Sequence, residues 1–84
     1  MALVLKHATL AQLGAAFRER FKASEGVETA RLAKWLLERI QDGTFTETQV
    51  RNFFGLTLAQ WNALKDRVTV LRDKYANVLA ARGE

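Results

Sequence analysis

Thr46-Glu47-Thr48-Gln49-Val50-Arg51-Asn52-Phe53-Phe54-Gly55-Leu56-Thr57-Leu58-Ala59-Gln60-Trp61-Asn62-Ala63-Leu64 is the stretch that decides the fold. Thr46 to Gln49 and Thr57 to Gln60 each have the form of a capping box. In such a box the Thr hydroxyl accepts from the N3 backbone N–H, while the Gln side chain accepts from the cap N–H. Each box sits between an apolar pair in staple positions, Phe45 with Val50 and Leu56 with Trp61. The two Thr residues are eleven positions apart, with Gly55 between them. That interval holds one short helix and a tight turn, so the stretch predicts a helix over 47–54 and a second starting at 58.

Outward from this stretch the same chemistry continues. Proline is absent, and helix formers such as Ala, Leu, Arg, Glu and Gln dominate. Thr9-Leu10-Ala11-Gln12 is a third capping box, with Ala8 and Leu13 in its staple positions. It opens a helix over about 10–22, whose buried stripe is Leu10, Leu13, Phe17 and Phe21. A connection at Ser24 to Gly26 leads to a helix over about 27–41. Its apolar arc is wide: Val27, Ala30, Ala33, Leu37 and Ile40 form one stripe, and Leu32, Trp35 and Leu36 form another. A helix of that kind is central and packed on two sides. Gly43 follows its end, where a left-handed residue commonly closes a helix.

The last helix is expected to run from 58 to about 81. Trp61, Leu64, Val68, Leu71, Tyr75 and Val78 alternate in steps of three and four, a heptad seam of about two and a half repeats. The flanking e and g positions are Lys65, Arg72, Arg67 and Lys74, all basic. Self-pairing would juxtapose like charges in either orientation, so a homodimer through this seam is disfavoured. Glu19, Glu25, Glu28 and Glu38 on the first two helices supply acids for pairing within the chain. The expectation is one all-α domain over 1–84, a compact four-helix fold with a long C-terminal helix.

Composition narrows the function classes. The 84 residues are 49% hydrophobic with no Cys, which excludes a disulfide framework and thiolate metal sites. At this size about 60–65% of the unfolded surface can be buried, enough for one modest core. The apolar start Met1-Ala2-Leu3-Val4-Leu5 is interrupted by Lys6 and His7, too short for a signal sequence, and no stretch reaches membrane-span length. A cytoplasmic protein is expected. The net charge of +4 permits nucleic-acid binding. His7 is the only histidine and Ser24 the only serine, and Ser24 has no base in view. Glu25 and Glu28 suit a helix N-terminus better than a metal. No catalytic constellation, metal set, phosphate loop or cofactor motif is visible, so a non-enzymatic protein is expected. Glu47 and Arg51 are spaced for an i, i+4 ion pair.

The two-helix layout resembles the helix-turn-helix of DNA-binding proteins over roughly a quarter of the chain, residues 47–68. The turn glycine of that family is matched by Gly55. Its apolar positions are matched by Val50, Phe54, Leu56, Trp61 and Leu64. Arg51 stands where the family usually has a small residue, a departure that allows a wider crossing of the helices. The resemblance implies a regulator or accessory factor that binds double-stranded DNA. Asn62 would read adenine, Arg51 and Lys65 would touch phosphates, and Thr57, Ala59 and Gln60 complete the expected contact set. The segment from Thr57 to Asp66 carries one Lys and one Asp, a weak electrostatic footprint for a recognition helix. The alternative is a protein-interaction module that docks Arg67, Arg72 and Lys74 on an acidic partner. The compact, basic, cysteine-free make-up is similar to that of short tailed-phage proteins, and such a module would suit a phage assembly component or an inhibitor of a host machine.

Overall fold

All three Thr-x-x-Gln sequences close as reciprocal capping boxes. Thr9 Oγ1 accepts from Gln12 N at 3.1 Å, while Gln12 Oε1 accepts from Thr9 N at 3.0 Å. Thr46 and Gln49 repeat the exchange at 3.1 and 2.9 Å, and Thr57 and Gln60 at 3.2 and 2.9 Å. These caps start three of the helices in a computed structural model that describes residues 7–83. The apolar start and Lys6 lie outside the described residues. Among those described, the chain is all-α: α1 (Leu10–Ala23), α2 (Val27–Gln41), α3 (Glu47–Phe54), α4 (Leu58–Lys74) and α5 (Ala76–Ala81).

α2 is the central element. It packs on α1 along one side and on α4 and α5 along the other, and α3 lies against α1. Leu13, Phe17, Leu32, Ala33, Leu36, Val50, Trp61 and Val68 share the main core, and the staple residues Phe45 and Leu56 pack into it. Each large apolar side chain buried in this way contributes about 1.5–3 kcal/mol. A second, smaller core joins Ala30 of α2, Leu71 of α4 and Leu79 of α5.

The loops close by local hydrogen bonds. Buried Thr29 donates from Oγ1 to the Ser24 carbonyl at 2.6 Å, which ties the α1–α2 connection to α2. After α2, Gly43 takes φ 85°. Asp42 Oδ1 there accepts from the Thr44 N–H at 2.9 Å and hydroxyl at 2.6 Å, and its Oδ2 meets Arg39 at 2.9 Å. Two of those hydrogen bonds, from the Thr44 hydroxyl and then its N–H, hold the Asp42 carboxyl below its usual range, and Arg39 adds to the effect.

The C-terminal helix departs from expectation. It does not run unbroken to 81, and five helices stand where four were expected. α4 ends at Lys74, Tyr75 takes φ −107° and ψ 11°, and α5 resumes at Ala76. Neither Gly nor Pro marks this bend. The seam is buried from Trp61 through Val68 and Leu71, as its spacing predicts. Beyond the bend the register changes: Val78 is 46% exposed, and Leu79, at 1%, fills the second core instead. A straight α-helix drifts relative to a strict seven-residue repeat. That drift brings Leu79 onto the face of Leu71, where both pack with Ala30 of α2.

Candidate functional site

α3 ends at Gly55, whose φ of 68° lies in the left-handed region that a Cβ disfavours. Its N–H satisfies the last carbonyls of α3, and Leu56 N donates to the Arg51 carbonyl at 3.1 Å. Leu56 then turns inward, Thr57 caps, and α4 begins, so three residues join the two helices. Trp61 fixes α4 at that start. It is 2% exposed, and its Nε1 donates to Glu47 Oε1 at 3.2 Å. The same oxygen accepts from Lys65 Nζ at 2.8 Å.

This geometry overturns one expected pairing. Glu47 serves Lys65 and Trp61 on α4 rather than Arg51 on its own helix. The Lys65 hydrogen bond first, and that of Trp61 second, hold the Glu47 carboxyl below the usual glutamate range. Arg51 is half-buried, and its Nε is buried without a hydrogen-bond partner.

Among the expected nucleic-acid contacts, the structure brings Arg51 and Asn62 together. Both line a groove of about 170 Å³ between α3 and α4, with Glu47, Thr48, Leu58 and Trp61. Asn62 and Ala59 are exposed. Thr57 and Gln60 are engaged in the cap, which occupies the Thr hydroxyl lone pair and the Gln carbonyl but leaves the Gln amide N–H groups outward. Lys65 sits in its ion pair. Leu58, 59% exposed, and Asp66 also face outward on this part of α4.

The three residues expected to meet an acidic partner are separated. Arg67 and Lys74 line a groove of about 380 Å³ with Glu25, Asp66, Val70 and Leu71. Arg72 lies on the other flank, beside Lys34, Glu38 and Gln41 of α2. Arg67 pairs with Glu25 at 3.0 Å and stands 4.9 Å from the Phe21 ring centre. Arg72 Nε meets Asp73 at 3.1 Å. Glu28, the other acid near the start of α2, pairs with Arg82 at 3.1 Å.

Two features were not anticipated from the sequence. Gly14 is buried where α1 crosses α3, and a Cβ there would lie 2.6 Å from Phe53. Beside that crossing, Phe17, Phe21, Phe54, Leu56 and Leu64 form an apolar groove of about 200 Å³ with Arg18 and Lys22 at its edge. The signal for the groove is present in α1, where Arg18 and Lys22 follow Phe17 and Phe21 at the same four-residue spacing. Among the described residues, no cluster of three His, Cys, Asp or Glu could hold a metal, and no helix is long and apolar enough to cross a membrane. No family model, curated protein or solved structure matches this chain.

Proposed function

We propose that the chain is a non-enzymatic, double-stranded DNA-binding protein that presents the first turns of α4 to the major groove in the manner of a helix-turn-helix. The observation that carries this reading is the α3–α4 junction. A left-handed Gly55 and a three-residue connection lead from α3 directly into α4, and Trp61 and Lys65 tie the start of α4 to Glu47 of α3. Asn62 is left exposed on the outer face of α4, with no bond to the described residues, beside Arg51. An exposed Asn at such a place can pair with the N6 and N7 edge of adenine, and Arg51 can reach a flanking phosphate.

The electrostatics set the expected strength. Lys65 is neutralised by Glu47, and Asp66 faces outward uncompensated. Few phosphates are contacted, and the salt dependence of binding is correspondingly shallow. Asp66→Asn removes a repulsive charge from the presented face. It raises affinity for any duplex, as read by fluorescence anisotropy of a labelled duplex. Asn62→Ala leaves non-specific affinity unchanged and relaxes discrimination at one base pair, by about 1–3 kcal/mol. If Asp66→Asn and Arg51→Ala both leave duplex affinity untouched, this face does not meet DNA. Docking of an acidic partner through Arg67, Arg72 and Lys74 is the weaker reading, because the trio is split between two flanks and two of its members already have internal partners.

A further inference from the structure

The groove between α1, the α3 terminus and α4 combines an apolar floor with a basic edge. Its floor is Phe21, Phe54, Leu56 and Leu64, each only partly buried, over fully buried Phe17. The Phe17 ring stands edge-on to both Phe21 and Phe54, at 5.2 and 6.0 Å between centres, so the floor is rigidly packed. Arg18 and Lys22 stand one helical turn apart at the edge, and among the described residues no carboxylate lines the groove. Arg18 is held over the Phe53 ring at 5.6 Å. Glu19, exposed on α1 between Arg18 and Lys22, is not among the residues that line the groove, and Glu25 beyond α1 is engaged by Arg67.

We propose that this groove is a docking site for an apolar side chain presented by an acidic protein segment. Three observations select that occupant. The volume of about 200 Å³ is below the roughly 300–1,000 Å³ of small-molecule sites, and it suits a single anchor residue. The edge charges are both positive, so a segment with carboxylates around its anchor is complementary. The larger groove along α4 differs, since carboxylates, Glu25 and Asp66, line it beside Arg67 and Lys74. A sugar–phosphate backbone would satisfy Arg18 and Lys22 but would leave the floor uncovered. The site shares no residue with the Arg51–Asn62 groove, so it stands or falls apart from the DNA reading.

The test is an NMR titration of isotopically labelled protein with two helical peptides. Both carry a single Leu anchor; one has a Glu-rich background and the other a Lys-rich one. The proposal predicts amide shifts at Phe21, Phe54, Leu56 and Leu64 with the Glu-rich peptide alone. Arg18→Glu with Lys22→Glu weakens that binding roughly tenfold or more. The same double variant acquires affinity for the Lys-rich peptide, a gain that misfolding could not produce. Equal binding of both peptides, shifts confined to other residues, or no shifts at millimolar peptide would overturn the proposal. So would a DNA duplex that shifts the same four residues and displaces the Glu-rich peptide, because the groove would then be a nucleic-acid surface.

Discussion

Glu47 accepts from Trp61 and from Lys65, and both bonds favour its ionised form. Its contribution to stability is therefore fully present above the ordinary glutamate pKa of about 4.3. It is lost as the pH falls through the lowered folded value. Glu47→Gln keeps an acceptor for Trp61 but no charge. The variant is expected to be less stable than the native chain at neutral pH, with the difference closing below about pH 4. Urea midpoints measured against pH check this, and a gap that stays constant into acid would contradict it. The pair is exposed enough that its whole contribution stays within about 1 kcal/mol. Gly14 makes the opposite kind of case. Replacing a mid-helix Gly with Ala ordinarily gains about 1 kcal/mol. Here the new methyl would lie 2.6 Å from Phe53, and overpacking of that kind costs about 1–3 kcal/mol. Gly14→Ala should fail to raise the melting temperature, whereas the same change in a Phe53→Ala background should raise it. Equal effects in both backgrounds would show that the ring does not constrain the site.

The helices were legible in the sequence because their starts are written locally. A capping box needs only four consecutive residues, and Gly43 and Gly55 mark their turns by conformations that side chains disfavour. The starts of α1, α3 and α4 follow from that, while α2, which has no side-chain cap, was legible from its wide apolar arc and the seam through Leu71 from its heptad spacing. The bend at Tyr75 was not legible. No breaker residue lies there, and the accompanying feature is the packing of Leu79 of α5 with Ala30 of α2, which local sequence does not encode. The heptad count names Val78 as the buried position, and the structure names Leu79. Leu79→Ala is expected to cost about 2–5 kcal/mol, while Val78→Ala stays within about 0.5 kcal/mol. Chemical denaturation of the two variants decides which residue fills the second core, and a reversed order of the two would restore the heptad register at Val78.

At the scale of the molecule, the sequence led to the expectation that acids of the first two helices pair within the chain, and Glu25 with Arg67 and Glu28 with Arg82 do so. The carboxylates that meet Lys65 and Arg72, Glu47 and Asp73, were not foreseen. The acids come from α2 and its preceding loop, from α3, and from α4 itself. Long-range pairings of this kind cannot be read from spacing on a single helix. The placement of Arg51 and Asn62 on one groove was legible because the turn motif is local. The α1 groove was not, since Phe21, Phe54 and Leu64 meet only in three dimensions. Glu47 connects the two scales: its removal frees Lys65, so Glu47→Gln should raise duplex affinity as well as lower stability, and unchanged affinity would place Lys65 outside the contact surface.

Fluorescence anisotropy of a labelled random-sequence duplex, titrated with the protein at several salt concentrations, tests the DNA reading most directly. The reading predicts micromolar binding at low salt, a log–log salt slope equivalent to a few phosphates, and a stronger response from Asp66→Asn. Absence of binding at low salt, or binding that Asp66→Asn and Arg51→Ala leave unchanged, would contradict it and leave the α3–α4 turn as a packing element alone.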